Sequence, residues 1–316
     1  MKQAVLVQPQ ETSVQERAIP APGPRDVLIH VRACGVCASE LHAWQGDSGA
    51  YPRALGHEVA GEVVAVGPEV RTLVPGTRVT GLFHHGFAEY AMASEDRVMV
   101  LPTNVSYETA IGEPIACIVS AALRTRVELG DTVAVVGQGF MGLLMLQAIR
   151  LKGPARIICI DLRDDVRALA RQFGADVVLH PDEVGEELIV LRGSAPEHGV
   201  DVAIETTGGQ PGLTLASRMV REHGMLSILG YHQGGPRSVD MELWNWKALD
   251  VLNAHERRTD HKAACMRRGV ALIAAGRIDV APLITHRFDL EHVDDAFRAL
   301  QEKPASFKKA IVLPAP

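Results

Sequence analysis

Four side chains of this sequence could together hold a metal ion: Cys37, His57, Glu58 and Glu113. Thiolate, imidazole and carboxylate groups are the ligands that zinc uses in proteins, and a catalytic zinc site leaves one position open. Cys37 and Glu113 would supply two negative charges and His57 none, so a Zn²⁺ ion bound by these three is neutral before substrate arrives. Such a centre suits a developing alkoxide. Taken one at a time, a cysteine or a histidine is more typical of a packed or hydrogen-bonded side chain.

A glycine-rich segment, residues 137–142, predicts a second site. It follows the apolar run 133–136 and opens a helical pattern, which is the context in which a G-x-G-x-x-G motif binds a dinucleotide. The first glycine permits a tight turn, the second lets the pyrophosphate approach the backbone, and the third lets helix and strand pack closely. The phosphates then bind unpaired N–H groups at the helix N-terminus. The residues predicted to contact the cofactor here are Gly137, Gly139, Phe140, Met141 and Gly142.

Asp161 ends the next predicted strand, 19 residues after Gly142. A carboxylate at this point can accept hydrogen bonds from both ribose hydroxyls and repel the 2′-phosphate of NADP, so it favours NAD(H) over NADP(H). Arg163 is close enough to accommodate that phosphate instead. Thr206 and Gly230 follow other strands of the same predicted sheet, at the ends where ligands bind in such folds, and are also predicted to contact the cofactor.

The elements that would position these residues follow two patterns. Residues 1–112 contain short β-branched runs separated by turn signals, which predicts a β-rich region. Within it, Gly61 in the run 58–66 indicates a bend or a close backbone approach. Strands alternate with helices over residues 113–257, which predicts an α/β, doubly wound parallel sheet. The predicted sheet strands are 132–136, 156–160, 176–179, 201–204, 225–229 and 250–253, with a loop after 225–229. After residue 257 we expect helices at 261–275 and 293–300 and strands at 282–288 and 309–313.

Composition limits the possible partners. The chain has 316 residues, which suggests two domains, and its net charge is −6 with no basic stripe, so nucleic acid is not an expected partner. The sequence contains no run of 18 apolar residues, so we expect no membrane-spanning helix. The apolar run Ala4–Val7 is too short for a signal-peptide core. The five cysteines, an odd number, do not form a disulfide framework. We therefore expect a cytoplasmic protein with a small-molecule substrate.

The segments 33–42 (ACGVCASELH) and 56–61 (GHEVAG) resemble the two signature segments of the medium-chain, zinc-dependent alcohol dehydrogenase family. The resemblance continues along essentially the whole chain. It implies a GroES-like, β-rich catalytic domain from residues 1–112 and 258–316, a Rossmann NAD-binding domain from 113–257, and an active site in a cleft between them. The further motifs are GPEV (67–70), PGTRV (75–79), FAEYA (87–91), EPIAC (113–117), the glycine loop and PLITHRF (282–288).

The resemblance assigns roles to individual residues. Cys37 and His57 match the first two zinc ligands. Glu113 matches a position that is a carboxylate in the polyol and threonine dehydrogenase branches, where it binds zinc directly or through a water. Glu58 matches a glutamate beside the zinc that can become an alternative ligand, and Cys117 is a minor candidate, more typical of a packed thiol.

The resemblance also implies a proton relay. Ser39 and His42 match residues that pass the alcohol proton to solvent, by way of the cofactor ribose, and histidine titrates near neutral pH. The alternative for Ser39 is a helix cap over residues 40–42. Lys309 resembles a basic residue that reaches the cofactor phosphates. Glu40 departs from the family, where an aspartate usually buttresses the ligand histidine; the longer side chain changes the reach but keeps the charge.

The lobe that binds a structural zinc in most members is missing. No cysteine lies between Cys37 and Cys117, and the chain passes through residues 81–86 directly to Phe87. We therefore expect one catalytic zinc and no structural zinc. By resemblance Phe83 and Trp44 lie near the substrate cleft, with ordinary packing as the alternative. The sequence leaves open the roles of His84, His85 and residues 253–258.

These observations predict a zinc-dependent enzyme that transfers a hydride between a secondary alcohol (a polyol, sugar alcohol or amino alcohol) and NAD(H). By family resemblance, it forms a homodimer or homotetramer. Two alternatives remain: a zinc-free, NADPH-dependent quinone or enone reductase, and a non-catalytic NAD-binding protein.

Overall fold

The computed structural model describes residues 1–46 and 49–314. The chain forms two compact units, a discontinuous unit of Met1–Cys117 with Arg257–Pro316, and a continuous unit of Ile118–Glu256. The sequence predicted domain boundaries between residues 112 and 113 and between residues 257 and 258. In the structure the boundaries between the two units lie between residues 117 and 118 and between residues 256 and 257.

The strands of the discontinuous unit are antiparallel, except that β15 (Ile284–Asp289) runs parallel to β16 (Lys309–Leu313). One sheet has three strands in the order β2-β1-β4, and the other has seven, in the order β15-β16-β3-β5-β6-β8 with β7 paired to β3. The strands are β1 (Lys2–Gln8), β2 (Glu11–Glu16), β3 (Asp26–Gly35), β4 (Arg53–Ala54), β5 (Glu58–Val66), β6 (Arg78–Leu82), β7 (Tyr90–Ser94), β8 (Val98–Val100), β15 (Ile284–Asp289) and β16 (Lys309–Leu313).

Strands β3 and β5 form the centre of the larger sheet. They run antiparallel, with Gly35 opposite Glu58 and Val31 opposite Gly61. A Cβ atom on Gly61 would lie 2.1 Å from the carbonyl oxygen of His30, so only glycine fits at this crossing. The predicted close backbone approach at Gly61 is confirmed, and it keeps the two strands that lead into the site in contact.

Four helices belong wholly or partly to this unit: α1 (Leu41–Gln45), α2 (Gly112–Arg124), α7 (Thr259–Ala274) and α8 (Val293–Glu302). Helix α2 starts in the discontinuous unit and continues into the continuous one. The ring of Trp44 is fully buried and stacks on Phe297 of α8 with ring centroids 5.5 Å apart, while its Nε1 donates to Asp294 at 2.8 Å. Of the described helices, none is long and apolar enough to cross a bilayer.

The continuous unit contains one parallel sheet flanked by helices. Its strand order is β11-β10-β9-β12-β13-β14. When the six strands are counted along the chain from β9 as strand 1, this order is 3-2-1-4-5-6, which is that of a complete dinucleotide-binding fold. The strands are β9 (Thr132–Val136), β10 (Arg156–Ile160), β11 (Val177–Leu179), β12 (Val200–Glu205), β13 (Val220–Ile228) and β14 (Asp250–Asn253), and the helices are α3 (Phe140–Arg150), α4 (Asp164–Gln172), α5 (Gln210–Met219) and α6 (Met241–Lys247).

Helix α6 lies where the sequence predicted a loop. The side chain of Asp240 caps it by accepting a hydrogen bond from the N–H of Leu243 at 2.9 Å. The buried ammonium of Lys247, at the other end, donates to the carbonyl oxygens of Ser217, Arg218 and Val220. These contacts tie α6 to the end of α5, and they explain how so short a helix is stable.

Candidate metal centre and cofactor loop

Three predicted metal ligands meet where β3 ends and β5 begins. Cys37 follows β3 by two residues, His57 precedes β5, and Glu58 is the first residue of β5. Because the two strands are antiparallel neighbours, the end of one lies beside the start of the other. One ligand atom from each of the three side chains lies within 4.8 Å of the other two.

The surroundings of His57 favour positive charge at this point. Burial lowers the pKa of His57, but its contacts with Cys37 and Glu40 outweigh that effect and raise the pKa to about 12. Oε1 of Glu40 lies 3.2 Å from Nδ1 of His57 and also accepts the N–H of Gly56 at 2.8 Å. The longer Glu40 side chain therefore reaches the histidine that the family resemblance assigns to it.

Glu58 is almost fully buried and is paired with Lys309. The ammonium of Lys309 lies 2.8 Å from Oε1 and 2.6 Å from Oε2 of Glu58, and it donates to the carbonyl oxygen of Val36 at 2.9 Å. The thiol of Cys37, the imidazole of His57 and the buried carboxylate of Glu58 form a donor set that fits a divalent cation such as zinc. The sequence did not predict the Lys309–Glu58 pair, and contact of Lys309 with the cofactor phosphates stays a prediction.

Glu113 lies outside this three-residue group, in the first turn of α2. Its Oε1 accepts a hydrogen bond from Nζ of Lys262 at 2.7 Å and from Sγ of Cys117 at 3.3 Å. Burial raises the pKa of Glu113, but the ammonium of Lys262 and the imidazole of His57 outweigh that effect, so the pKa lies below its usual value. Burial also raises the pKa of the Cys117 thiol, which fits a protonated donor to Glu113.

Lys262 is a residue of this site that the sequence analysis missed. Cys37, Glu58 and Glu113 supply three negative charges to the centre, and Lys262 and Lys309 supply two positive ones. With a bound Zn²⁺ ion the centre would therefore carry one net positive charge. Such a balance suits an alkoxide better than the neutral set inferred from sequence. No motif identifies Lys262, because it is 149 residues from its partner.

Of the two residues of the predicted relay, Ser39 contacts a candidate ligand. The hydroxyl of Ser39 donates to Sγ of Cys37 at 3.2 Å, in the short 3-10 turn Ala38–Glu40. Helix α1 begins after Glu40 and no side chain caps it, so Ser39 is not the helix cap considered as the alternative. His42 lies in the first turn of α1 and is partly exposed. The proton-transfer role of Ser39 and His42 stays a prediction.

Two aromatic residues near these segments pack in the core. Phe83 and Trp44 are both at most 1% exposed. Trp44 packs against Phe297, and the position of Trp44 or Phe83 near a substrate cleft stays a prediction. His84 and His85 are exposed on the shortened loop.

The glycine loop in the continuous unit has room for a phosphate. Gly137 adopts a φ of +96°, and a Cβ atom on Gly142 would lie 2.0 Å from the carbonyl oxygen of Gly137. A Cβ atom on Gly139 would meet nothing within 4 Å. Phe140 and Met141 then open α3, whose N-terminus presents backbone N–H groups. These geometries suit the turn, close-packing and phosphate-approach roles predicted for the three glycines, and with them a dinucleotide.

Asp161 directly contacts this loop. Its Oδ2 accepts the N–H of Gln138 at 2.6 Å, and its Oδ1 accepts the N–H of Arg163 at 2.9 Å. The side chain of Arg163 lies 3.9 Å from Asp165. The predicted acidic residue thus lies at the end of β10 beside the glycine loop, where a ribose is recognised in this fold.

Residues at the ends of β12 and β13 form hydrogen bonds with the loop or with one another. The hydroxyl of Thr206, just after β12, donates to the carbonyl oxygen of Gly137 at 2.7 Å. Gly230 follows β13, and its N–H donates to the carbonyl oxygen of Glu205 at 2.9 Å. The fully buried carboxylate of Glu205 accepts the N–H groups of Thr207 and Gly208 and contacts His232 at 2.9 Å. Sequence reasoning missed Glu205, although a carboxylate at the end of a buried strand was a signal for it.

Two protein families match this chain. Residues 23–103 match a family described as alcohol dehydrogenase GroES-like domain, and residues 141–266 match one described as zinc-binding dehydrogenase. These matches confirm the predicted fold, a GroES-like β-rich domain and a Rossmann-type parallel sheet.

Relatives match over nearly the whole chain. A sorbitol dehydrogenase of Bacillus subtilis (strain 168) is 29% identical over 98% of this chain and 96% of its own length. An L-threonine 3-dehydrogenase of Pyrococcus abyssi is 30% identical over 90% of each chain. A crystal structure from Sinorhizobium meliloti 1021, described as a zinc-binding dehydrogenase bound to NADP, superposes with a TM-score of 0.87 at 28% identity over 99% of each chain.

Proposed function

Because this chain belongs to the medium-chain, zinc-type alcohol dehydrogenase family, we propose that it is a zinc-dependent dehydrogenase that oxidises a secondary alcohol with NAD⁺. The substrate class is a polyol, a sugar alcohol or an amino alcohol, as in the sorbitol and threonine dehydrogenases that it resembles. Assembly into a homodimer or homotetramer is part of the same proposal.

The observation that carries the proposal is the meeting of Cys37, His57 and Glu58, with ligand atoms within 4.8 Å of one another. These side chains would hold the zinc. When bound, zinc supplies a Lewis acid that lowers the pKa of an alcohol hydroxyl. Glu40 orients the His57 ring through Nδ1.

The remaining residues bind the cofactor and move the proton. The hydroxyl of Ser39 accepts the alcohol proton, and His42 passes it to solvent. The glycine loop holds the pyrophosphate at the start of α3, and Asp161 accepts hydrogen bonds from the ribose hydroxyls. Because that carboxylate repels a 2′-phosphate, NAD(H) is the proposed cofactor, although the S. meliloti structure contains NADP.

The test combines metal analysis with an activity screen. Purified wild-type protein is expected to contain one zinc per chain and to reduce NAD⁺ with at least one alcohol from a panel of polyols, amino alcohols and simple secondary alcohols. Cys37→Ala is expected to lose both zinc and activity. Cys159→Ala, which removes a buried thiol from β10 of the other unit, is the matched control and is expected to keep both.

Two results would reject the proposal. The first is wild-type protein that contains no zinc and reduces enones or quinones with NADPH, which is the zinc-free reductase. The second is a protein that binds NAD⁺ and oxidises none of the alcohols, which is the non-catalytic binding protein.

A further inference from the structure

Lys262 contacts Glu113 in the first turn of α2. It lies near the beginning of α7, and Met266 lies one helical turn later on the same face. A Cβ atom on Gly112 would lie 2.7 Å from Sδ of Met266, so the two helices are in contact at this residue. Met266 is fully buried. The contact between Gly112 and Met266 therefore fixes Lys262 beside Glu113.

The start of α2 is in turn fixed to the sheet that carries the ligands. The N–H of Gly112 donates to the hydroxyl of Thr80 at 2.9 Å, and that hydroxyl donates to the carbonyl oxygen of Val59 at 2.8 Å. Val59 follows Glu58 in β5. Glu113 is thus anchored through its neighbour to the strand that begins with the proposed ligand Glu58.

The Glu113 carboxylate has two donors on a single oxygen. Nζ of Lys262 at 2.7 Å and Sγ of Cys117 at 3.3 Å both contact Oε1. The side chains of Lys262 and Glu113 are only 17% and 16% exposed. No oxygen of Glu113 belongs to the three-residue group, so direct bonding to a metal held there would require the carboxylate to move. That movement would lengthen its hydrogen bonds to Lys262 and Cys117 and weaken the pairing of a poorly solvated ammonium, which is costly.

We propose that Lys262 is a positioning residue that withholds Glu113 from direct metal coordination and keeps its carboxylate as a hydrogen-bond acceptor beside Cys37, His57 and Glu58. This inference rests on the proposed zinc function. It explains why the carboxylate at position 113 lies outside the three-ligand group. It also assigns a role to a lysine that no motif identified.

The consequence concerns metal affinity. In Lys262→Met the poorly solvated carboxylate of Glu113 has no ammonium partner, and a divalent cation becomes the nearest positive charge available to it. The variant should therefore bind the metal more tightly, with a changed ligand set. A lysine that only stabilised the fold would leave both the affinity and the coordination geometry of the metal unchanged.

The experiment uses cobalt(II) in place of zinc, because its visible absorption reports the number and type of ligands. Full-length wild type, Lys262→Met, Lys262→Arg, Glu113→Gln and the double variant Lys262→Met/Glu113→Gln are stripped of metal and titrated. Lys262→Met is expected to bind cobalt more tightly by roughly tenfold, with altered d–d bands. The size is at the lower end of the changes in affinity that replacing residues around a metal site causes, and the direction follows from the loss of the ammonium partner of Glu113. Lys262→Arg is expected to resemble wild type.

The double variant decides whether the effect passes through Glu113. In the Glu113→Gln background, Lys262→Met is expected to change neither the affinity nor the spectrum. The inference is overturned if Lys262→Met leaves both unchanged, or if it shifts them equally in that background. Lys262→Gln replaces the methionine variant if the latter fails to fold.

The proposed function and the inference fail in different ways. Wild-type protein that binds no cobalt overturns both. Wild-type protein that shows thiolate-to-cobalt charge transfer, with no response to Lys262→Met, keeps the zinc site and overturns only the role of Lys262.

Discussion

Oε1 of Glu40 lies 3.2 Å from Nδ1 of His57, so the proposed ligand ring is oriented by a carboxylate one methylene longer than the family's usual aspartate. The same oxygen accepts the N–H of Gly56, which fixes both the side chain and the backbone just before β5. The two bonds together determine which ring nitrogen of His57 faces Cys37.

This relationship predicts the effect of Glu40→Gln. An amide oxygen is a weaker acceptor than a carboxylate and carries no charge, so the variant should lose roughly 10- to 100-fold in zinc affinity. Competition with a chromophoric chelator measures the change. Glu69→Gln, on an exposed residue of the same unit, is the control, and equal zinc affinities for the two variants would contradict the assignment.

The glycine loop predicts opposite outcomes for two alanine substitutions. Gly139→Ala adds a methyl group to open space and should leave the thermal unfolding temperature nearly unchanged while weakening NAD(H) binding. Gly142→Ala places a methyl group 2.0 Å from the carbonyl oxygen of Gly137, so it should lower the unfolding temperature as well. Differential scanning fluorimetry and cofactor fluorescence measure the two quantities. Tight cofactor binding by Gly139→Ala would show that the pyrophosphate does not approach this residue.

Asp161 predicts the cofactor preference. Asp161→Gly removes the carboxylate that would repel a 2′-phosphate, so the ratio of kcat/KM for NAD⁺ over NADP⁺ should fall. It also removes the acceptor for the N–H of Gln138, and unfolding curves will show whether the loop remains intact. Asp176→Asn, in the same unit, serves as the comparison. An unchanged cofactor ratio in a folded Asp161→Gly protein would remove Asp161 from the specificity determinants.

Glu95 predicts an acid-dependent part of the stability. The hydroxyl and N–H of Thr72, together with the N–H of Arg71, hydrogen-bond its carboxylate and hold the pKa of Glu95 below its model-peptide value of 4.5. A carboxyl whose pKa is lower in the folded state stabilises the fold above the unfolded-state pKa and loses that contribution as pH falls through the folded-state value. The free energy of unfolding of wild type should therefore exceed that of Glu95→Gln by its full amount above about pH 4.5. The difference between the two proteins should become smaller below that pH.

Urea unfolding of the metal-free protein at several pH values measures this difference. Asp96→Asn, on the exposed neighbouring residue, is the control and should not reproduce the trend. A wild-type lead that stays constant down to acid pH would show that the bonds to Thr72 do not depend on the carboxylate charge.

Local patterns were sufficient to predict most of the fold. Three strands have the predicted bounds: Thr132–Val136, Arg156–Ile160 and Asp250–Asn253. Each is an apolar run that ends at turn or polar residues, so the local sequence predicts its bounds. Helix α6 was missed because its stability comes from Lys247 and the end of α5, which a local window does not include. The helix-cap signal at Asp240 was the one local indication of it.

The candidate site shows the same division. Cys37, His57 and Glu58 lie in short motifs, and the antiparallel pairing of their strands brings them together. No sequence motif predicts the lysines that pair with the carboxylates of the site. Lys262 is 149 positions from Glu113, and Lys309 is 251 positions from Glu58. Sequence spacing predicts which groups could bind a metal, whereas the balance of charge around them depends on tertiary contacts.

The position of β16 has a consequence for biosynthesis. This strand is the last one among the described residues, and it pairs Val312 with Cys34 and Ile311 with Gly35, two residues before Cys37. It also brings Lys309 to Glu58. The continuous unit is complete at Glu256 and can fold while the ribosome is still translating, whereas the unit that carries the proposed ligands cannot be completed until the residues of β16 have been synthesised. A nascent chain that stops short of β16 would leave a buried glutamate without its counter-charge and an open sheet edge beside the thiol.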